Sequence, residues 1–176
     1  MDFGFEFTRT EVEKLIPASI TTSDMALDKT DRAIIEAIFE DARISQRQIA
    51  AKVGVAQGTI TNRLRRLENE GIITGYTPIL DAESVGWGMT VMAGLCIEKG
   101  KVIDVQKQIS SDLRVFGVYD VTGDWDSMVL ARVKDRKDLD DLTKTVFTLK
   151  GITRSYTHVV LNTVKEMGVH LPPHNQ

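Results

Sequence analysis

The sequence of 176 residues has little cysteine and few aromatic residues, and it has no long apolar run. Its one cysteine, Cys96, excludes a disulfide within the chain and provides no ligand spacing typical of a metal site. No apolar stretch approaches the roughly 18 residues that span a bilayer, and the N-terminus lacks the pattern of a secretory signal. Since 42% of the residues are apolar and 27% are charged, we expect a soluble, cytoplasmic protein with a buried core and no membrane partner.

Acidic residues slightly outnumber basic ones, but the two are unevenly distributed. The formal net charge is −3, and residues 1–26 alone contain five acids against two bases. In contrast, residues 45–66 contain five bases and no acid. The chain therefore has a local basic patch, which indicates a nucleic-acid partner despite the acidic total.

Residues 1–26 are predicted to be an N-terminal extension without an assigned role. The alternation of Phe3, Phe5 and Phe7 favours a short strand, and the following TEVEKLI favours a helical turn that ends before Pro17. Met25 precedes the first strongly patterned segment, so it is a candidate alternative translation start.

Residues 27–75 show three successive helical patterns. Asp28 is a candidate N-cap for the first helix, and Ser45 with Gln48 forms a capping box at the start of the second. Gly54 is placed where a tight turn requires positive φ, and a third helix is predicted from Gln57 to Asn69. The segment ITGYTPIL after this helix favours a short β-hairpin, so the pattern is that of a winged helix-turn-helix.

In such a module the third helix enters the major groove and the second crosses the phosphate backbone. If Ile60, Leu64 and Leu67 face inward, helical periodicity directs the polar residues outward. Asn and Gln side chains suit adenine edges and Arg suits guanine or phosphate. The predicted DNA-binding residues are Arg47, Gln57, Gly58, Thr59, Thr61, Asn62, Arg63, Arg65 and Arg66, with Arg65 and Arg66 facing outward and Arg63 on the flank.

A linker strand is predicted over residues 76–83, a second domain over 84–166 and a loose tail over 167–176. In the second domain, strand and helix patterns alternate in the order βαββαβ, with the last strand predicted over residues 153–164. The fold class is therefore α+β, with a ferredoxin-like second domain. Because the strand VMAGLCI is apolar on both sides, we expect a partner to cover the face that the helices leave open.

The loop GDWD, residues 123–126, joins two predicted strands. Three interpretations stay open on the residues alone: a plain turn, a ligand site, and a catalytic or metal site built on Asp120, Asp124 and Asp126. Trp125 at the loop tip is expected to be exposed, and His158 on the last strand is expected to be packed or at an interface.

The segment LDKTDRAIIEAIFEDARISQRQIAAKVGVAQGTITNRLRRLENEGIITGYTPILD resembles the DNA-binding half of the Lrp/AsnC, or feast/famine, transcription regulators, and GDWD is similar to the G-D-x-D hallmark of their amino-acid-sensing half. The resemblance covers residues 27–166. Ala56 departs from the Ser or Thr that caps the third helix in the family, which suggests a frayed helix start without DNA. Ser127 replaces a common aromatic residue, which suggests a roomier pocket.

The resemblance implies binding to double-stranded DNA, assembly into a homodimer and further into a tetramer or octamer, and an amino-acid effector, with no other cofactor, no metal ligand and no catalytic residue. The implied effector-binding residues are Gly123, Asp124, Asp126, Ser127, Ser155 and Thr157.

An enzyme is the alternative from another class, because sirohaem-type tetrapyrrole decarboxylase subunits share the same two-domain layout. Such enzymes use His and Arg around the tetrapyrrole, and only His158 is placed to do so here. The acid-free basic patch favours the regulator.

Overall fold

The computed structural model describes residues 27–172, which divide into two compact units: residues 27–77 with 169–172, and residues 78–168. The first unit thus ends two residues later than the predicted boundary at 75. The expectations for the N-terminal extension, including the strand at Phe3 and the helix before Pro17, lie outside the described residues.

Three helices build the first unit: α1 (Lys29–Glu40), α2 (Gln46–Val53) and α3 (Gln57–Asn69). Both predicted N-caps are confirmed, and each is a reciprocal capping box. The side chain of Asp28 accepts from Asp31 N while that of Asp31 accepts from Asp28 N, and Ser45 and Gln48 make the same exchange. These boxes satisfy amides that would otherwise lack a partner at the two helix starts.

The turn between α2 and α3 and the core beneath it also follow the prediction. Gly54 ends α2 with φ of 79°, a conformation that a side chain disfavours. Ile60, Leu64 and Leu67 are all buried, so α3 presents its opposite side to solvent. They share one apolar cluster with α1 and α2.

The predicted hairpin over ITGYTPIL is wrong, and so is the linker strand over residues 76–83, because no strand is assigned between residues 70 and 88. Gly75 does not adopt the positive φ that a tight hairpin turn uses, and Pro78 has no N–H for a ladder. Ile73 at the start of the segment packs against the helical core, but Ile79 near its end is 97% exposed and packs against nothing that would hold a strand.

The second unit confirms the predicted βαββαβ order. Its elements are β1 (Met89–Ile97), α4 (Val102–Ser110), β2 (Val115–Asp120), β3 (Ser127–Val133), α5 (Arg136–Thr145) and β4 (Ile152–Val159). The four strands form one sheet in the order β2-β3-β1-β4, and every neighbouring pair is antiparallel. The last strand ends at Val159 rather than at residue 164.

One face of this sheet is covered and the other is bare. Val91, Ala93 and Leu95 of β1 are fully buried in a cluster that includes Val105 of α4 and Leu142 of α5. Strand alternation directs the intervening residues to the face without helices. There the structure leaves several large apolar side chains exposed: Met92, Phe116, Tyr119 and Tyr156.

The tail is not loose in its described part. Residues 169–172 belong to the first unit, where Leu171 packs against the helical core. The ring of His170 stacks on Phe39 of α1 with centroids 4.6 Å apart, and Arg32 Nη1 donates to the Pro172 carbonyl at 3.1 Å. The sequence contained no periodicity here, so these contacts could not be predicted.

Candidate nucleic-acid interface and effector loop

The outward side of α3 is polar at its N-terminal end. Gln57, Gly58 and Asn62 are exposed, whereas Thr59 and Thr61 are half-buried. Thr61 Oγ1 donates to Gln46 Oε1 at 2.6 Å and so ties α3 to the start of α2. The exposed amides of Gln57 and Asn62 are therefore the groups at this end that remain accessible to a base edge.

The missing cap at Ala56 is confirmed, since no side chain bonds to the first amides of α3. The helix nevertheless begins at Gln57, with Thr59 N donating to the Ala56 carbonyl at 3.0 Å. Fraying of this end without DNA stays a prediction.

Arg47 on α2 and Arg65 on α3 are both exposed. Within residues 27–172 neither guanidinium takes part in a salt bridge. Both side chains are thus accessible to a phosphate, as the sequence predicted.

Arg63, predicted on the flank, and Arg66, predicted to face outward, are both bound to acids at the start of α1, and the prediction did not include these ion pairs. Arg63 Nη1 lies 2.5 Å from Asp28 Oδ2 and 2.9 Å from Asp31 Oδ1, and Arg66 Nη2 lies 2.6 Å from Asp31 Oδ2. Arg66 therefore does not extend freely outward, although its side chain is 45% exposed. Helical periodicity assigns an angle to each residue but does not reveal an acid on a neighbouring helix.

Asp31 is the residue in this cluster that sequence reasoning missed. It is fully buried, and its carboxylate accepts from both arginines and from Asp28 N. A buried charge persists only when it is paired in this way. The sequence pattern that could have indicated this pairing is two acids three positions apart at the start of α1, Asp28 and Asp31, and two arginines with the same spacing on α3, Arg63 and Arg66.

These contacts shift the titration of the exposed partner. The backbone N–H of Asp31 and then the Arg63 guanidinium lower the pKa of the Asp28 carboxyl from 3.8 to about 2. In the reverse direction, Asp28 and then Asp31 raise the pKa of Arg63 above its ordinary value. Both groups are therefore charged at neutral pH.

The GDWD loop is fastened to the end of β1. Asp126 N donates to the Leu95 carbonyl at 2.9 Å, and Ile97 N donates to Asp126 Oδ2 at 2.7 Å. Gly123 has φ of 112°, while the Asp124 side chain is exposed. The carboxylate of Asp126 thus has a structural partner, and that of Asp124 faces solvent.

Trp125 is not exposed at the loop tip as predicted, because its indole folds over β1 at Gly94. A Cβ on Gly94 would lie 2.6 Å from Trp125 Cδ2, so the glycine makes room for the ring. Arg154 lies over the indole with its Cζ 4.7 Å from the ring centroid, and Tyr156 lies beside it at 6.2 Å. The loop therefore covers one end of the bare face.

Ser127 does not open a pocket at the loop, since it is fully buried on the helix side of the sheet. Its hydroxyl donates to the Tyr119 carbonyl at 3.0 Å and accepts from Gln106 Nε2 at 3.2 Å. The buried serine is satisfied by these two bonds.

Ser155 and Thr157 also lie on the helix side, because they pair with Leu95 and Ala93 of β1. Ser127 pairs with Leu95 from the other side. Since neighbouring strands are about 4.8 Å apart, Ser127 and Ser155 are separated by roughly 10 Å with Leu95 between them. The structure thus groups Gly123, Asp124 and Asp126 in one loop, but it does not bring the three hydroxyls to that loop.

His158 lies on the bare face, exposed, with its ring 4.9 Å from that of Tyr156. Across residues 27–172 no group of three or more His, Cys, Asp or Glu side chains is arranged to hold a metal ion. None of the helices in that range is long and apolar enough to cross a membrane.

Comparison with known proteins agrees with this geometry in both units. Residues 27–74 match the winged helix-turn-helix DNA-binding family, and residues 90–169 match the Lrp/AsnC ligand binding domain.

Individual relatives match this chain over most of its length and nearly all of their own. An uncharacterised HTH-type transcriptional regulator of Pyrococcus abyssi is 41% identical over 140 residues, which are 80% of this chain and 95% of that protein. The HTH-type transcriptional regulator FL11 of Pyrococcus horikoshii is 31% identical over 140 residues, 80% of this chain and 93% of that one. A feast or famine regulatory protein from M. tuberculosis, solved with L-methionine, is 25% identical with a TM-score of 0.74 and covers 84% of this chain and 100% of its own.

Proposed function

This chain belongs to the Lrp/AsnC family of transcriptional regulators, and we propose that it binds specific double-stranded DNA sites as a homodimer and changes its DNA affinity when an amino acid binds. The observation that carries the DNA-binding part is the solvent-facing side of α3 and α2. It presents amides at Gln57 and Asn62 and exposed guanidinium groups at Arg47 and Arg65. Amides suit base edges, and guanidinium groups suit phosphates and guanine.

The bare face of the sheet supports the homodimer. Met92, Phe116, Tyr119 and Tyr156 are between 39% and 57% exposed on one continuous surface. A contiguous apolar surface of this kind is a feature of protein interfaces, and a second copy is the simplest partner that presents the same surface. Two copies carry two recognition helices, which address half-sites about 34 Å apart or a multiple of that distance. Tetramers or octamers then form from such dimers.

The effector part of the proposal is supported by the loop. Gly123 is exposed and has positive φ, and turns of this kind can direct backbone N–H groups toward an anion such as a carboxylate. The exposed Asp124 carboxylate suits an ammonium group. The mycobacterial relative was solved with L-methionine, which is an amino acid of this form. Asp124 is therefore the ammonium partner that we propose, whereas Asp126 holds the loop against β1.

Linkage connects the two activities. An effector that binds one assembly state better than another shifts the DNA affinity by the same coupling free energy, typically about 1–3 kcal/mol. This corresponds to changes of roughly 5- to 150-fold in DNA affinity at saturating effector.

The test is selection of bound genomic DNA fragments, carried out with the full chain in the absence and presence of a panel of amino acids. We expect a small set of fragments that share a pseudo-palindromic sequence, and a change of their recovery with at least one amino acid. Asp124→Asn is expected to retain the fragments and to lose the response. Recovery of random fragments in every condition would contradict DNA recognition, and unchanged recovery with every amino acid would contradict sensing alone.

A further inference from the structure

Two carboxylates at the start of α1, those of its N-cap Asp28 and of Asp31, bind two of the three arginines of α3. Asp31 is bound by both arginines, and Asp28 is bound by Arg63. The two aspartates balance the two arginines in this arginine–aspartate cluster (Asp28, Asp31, Arg63, Arg66), and Glu70 lies at its edge, 4.0 Å from Arg66 Nε. Arg65, on the other side of α3, is exposed and is not a member of the cluster.

The two carboxylates differ in burial. The Asp31 side chain is 1% exposed, so it lies beneath the arginines and fixes where their guanidinium groups lie. The Asp28 side chain is 51% exposed, and its charge therefore reaches the solvent at the same surface as Arg63. Asp31 is an internal anchor, whereas Asp28 is a surface charge opposed to any approaching phosphate.

We propose that Asp28 withholds Arg63 from DNA and that Asp31 is the positioning residue of both arginines, which leaves Arg65 as the arginine of α3 that neutralises a phosphate with its full charge. This inference rests on the proposed DNA binding. It assigns a restraining function to an acid at the start of α1, outside the predicted DNA-binding residues. The protein thereby limits the non-specific, salt-dependent part of its DNA affinity, which comes from phosphate neutralisation.

The expected magnitude follows from counterion release. Each neutralised phosphate contributes a slope of about −0.9 to the logarithm of affinity against the logarithm of salt concentration. Between 50 and 200 mM salt, a fourfold range, one additional phosphate contact therefore lowers the DNA affinity by a further factor of about 3.5, and two such contacts in a dimer lower it by a further factor of about 12. At 50 mM salt, a protein that lacks the Asp28 charge therefore binds DNA more tightly than the unchanged protein.

The test is Asp28→Asn, because asparagine removes the charge and retains the side-chain oxygen that caps α1. Asp28→Ser is a second variant that retains an N-capping oxygen for α1. It shows whether a change in DNA affinity comes from the lost charge or from the amide group of asparagine. Glu36→Gln is the matched control: Glu36 is exposed on the same helix, and the change removes one negative charge outside the cluster.

Affinity for one duplex is measured by fluorescence anisotropy at several salt concentrations. We expect steeper salt dependence and tighter low-salt binding for Asp28→Asn and Asp28→Ser, no such change for Glu36→Gln, and loss of the gain in the double variant Asp28→Asn with Arg63→Ala. Equal slopes for Asp28→Asn and the unchanged protein, or weaker binding by that variant, would overturn the inference while the proposed function stands. Absence of salt-dependent DNA binding by the unchanged protein would instead overturn the proposed function.

Discussion

The contact between Gly94 and Trp125 makes the geometry of the effector loop directly testable through the substitution Gly94→Ala. The added Cβ would lie 2.6 and 2.7 Å from two ring carbons of Trp125. Since carbon atoms in contact lie about 3.5–4.0 Å apart, the indole has to move by roughly 1 Å. The loop opposes this movement, because Asp126 is bonded to β1 at 2.7 and 2.9 Å.

The cost follows from overpacking, which is typically about 1–3 kcal/mol for one inserted group in a packed site. For a domain of this size, a loss of 1 kcal/mol lowers Tm by roughly 4–8 °C. We therefore expect the second unit of Gly94→Ala to melt at a Tm about 4–24 °C lower. The displaced indole becomes more exposed, so its fluorescence emission moves to longer wavelength.

The assay uses a Trp87→Phe background, in which Trp125 is the only tryptophan. Gly168→Ala is the matched control, because it lies in the same unit, has open space around its Cα and does not need positive φ. We expect this control to leave Tm and emission close to those of the background. If Gly94→Ala also leaves both unchanged, the indole does not cover β1 and our account of the loop is wrong.

Three further predictions concern the two units. The folded-state pKa of Asp28 is about 2 against an ordinary 3.8, so its ionised form stabilises the first unit above pH 4, and this stabilisation is lost as the pH falls from about 4 to 2. Asp28→Asn should therefore make the Tm, followed by circular dichroism, less dependent on pH over that window. An unchanged pH dependence of Tm in the variant would refute this stabilising role of Asp28. Met92→Asp puts a charge in the middle of the bare face and should convert the dimer to monomer in size-exclusion chromatography with light scattering, whereas a dimer of unchanged mass would show that this face is not the interface. Deletion of residues 169–176 removes the contacts of Leu171 and His170 with the helical core, and it should lower the free energy of unfolding of the first unit by about 1 kcal/mol and its Tm by several degrees. An unchanged Tm would show that the tail does not stabilise the first unit.

Local chemistry explains which parts of the fold were predictable. The starts of α1 and α2 depend on residues three positions apart, Asp28 with Asp31 and Ser45 with Gln48, so the sequence indicated both helix starts. Gly54 likewise acts within its own turn. The alternation of buried and half-buried residues in β3 depends only on the period of a strand, and it was equally predictable.

Contacts between distant segments were not predictable in the same way. The partners of Arg63 and Arg66 lie more than 30 positions earlier, on α1, and the indole of Trp125 finds its place only because β1 has Gly94. The predicted hairpin around Gly75 failed for a related reason, because a strand needs a second strand to pair with, and residues 72–80 pair with none within residues 27–172. In the candidate site, the sequence correctly predicted that Arg47 and Arg65 are exposed. It could not predict which side chains form ion pairs with Arg63 and Arg66.

The proposal that α3 recognises DNA is tested most directly by affinities for a selected duplex and for an unrelated duplex, measured by anisotropy at several salt concentrations. Arg65→Ala should weaken both affinities alike and reduce the salt slope by about 1 per recognition helix, whereas Asn62→Ala should mainly reduce the ratio between the two. Lys99→Ala, which removes an exposed positive charge from the second unit, serves as the control and should change neither quantity. If Arg65→Ala and Asn62→Ala both behave like Lys99→Ala, then α3 is not the helix that recognises DNA.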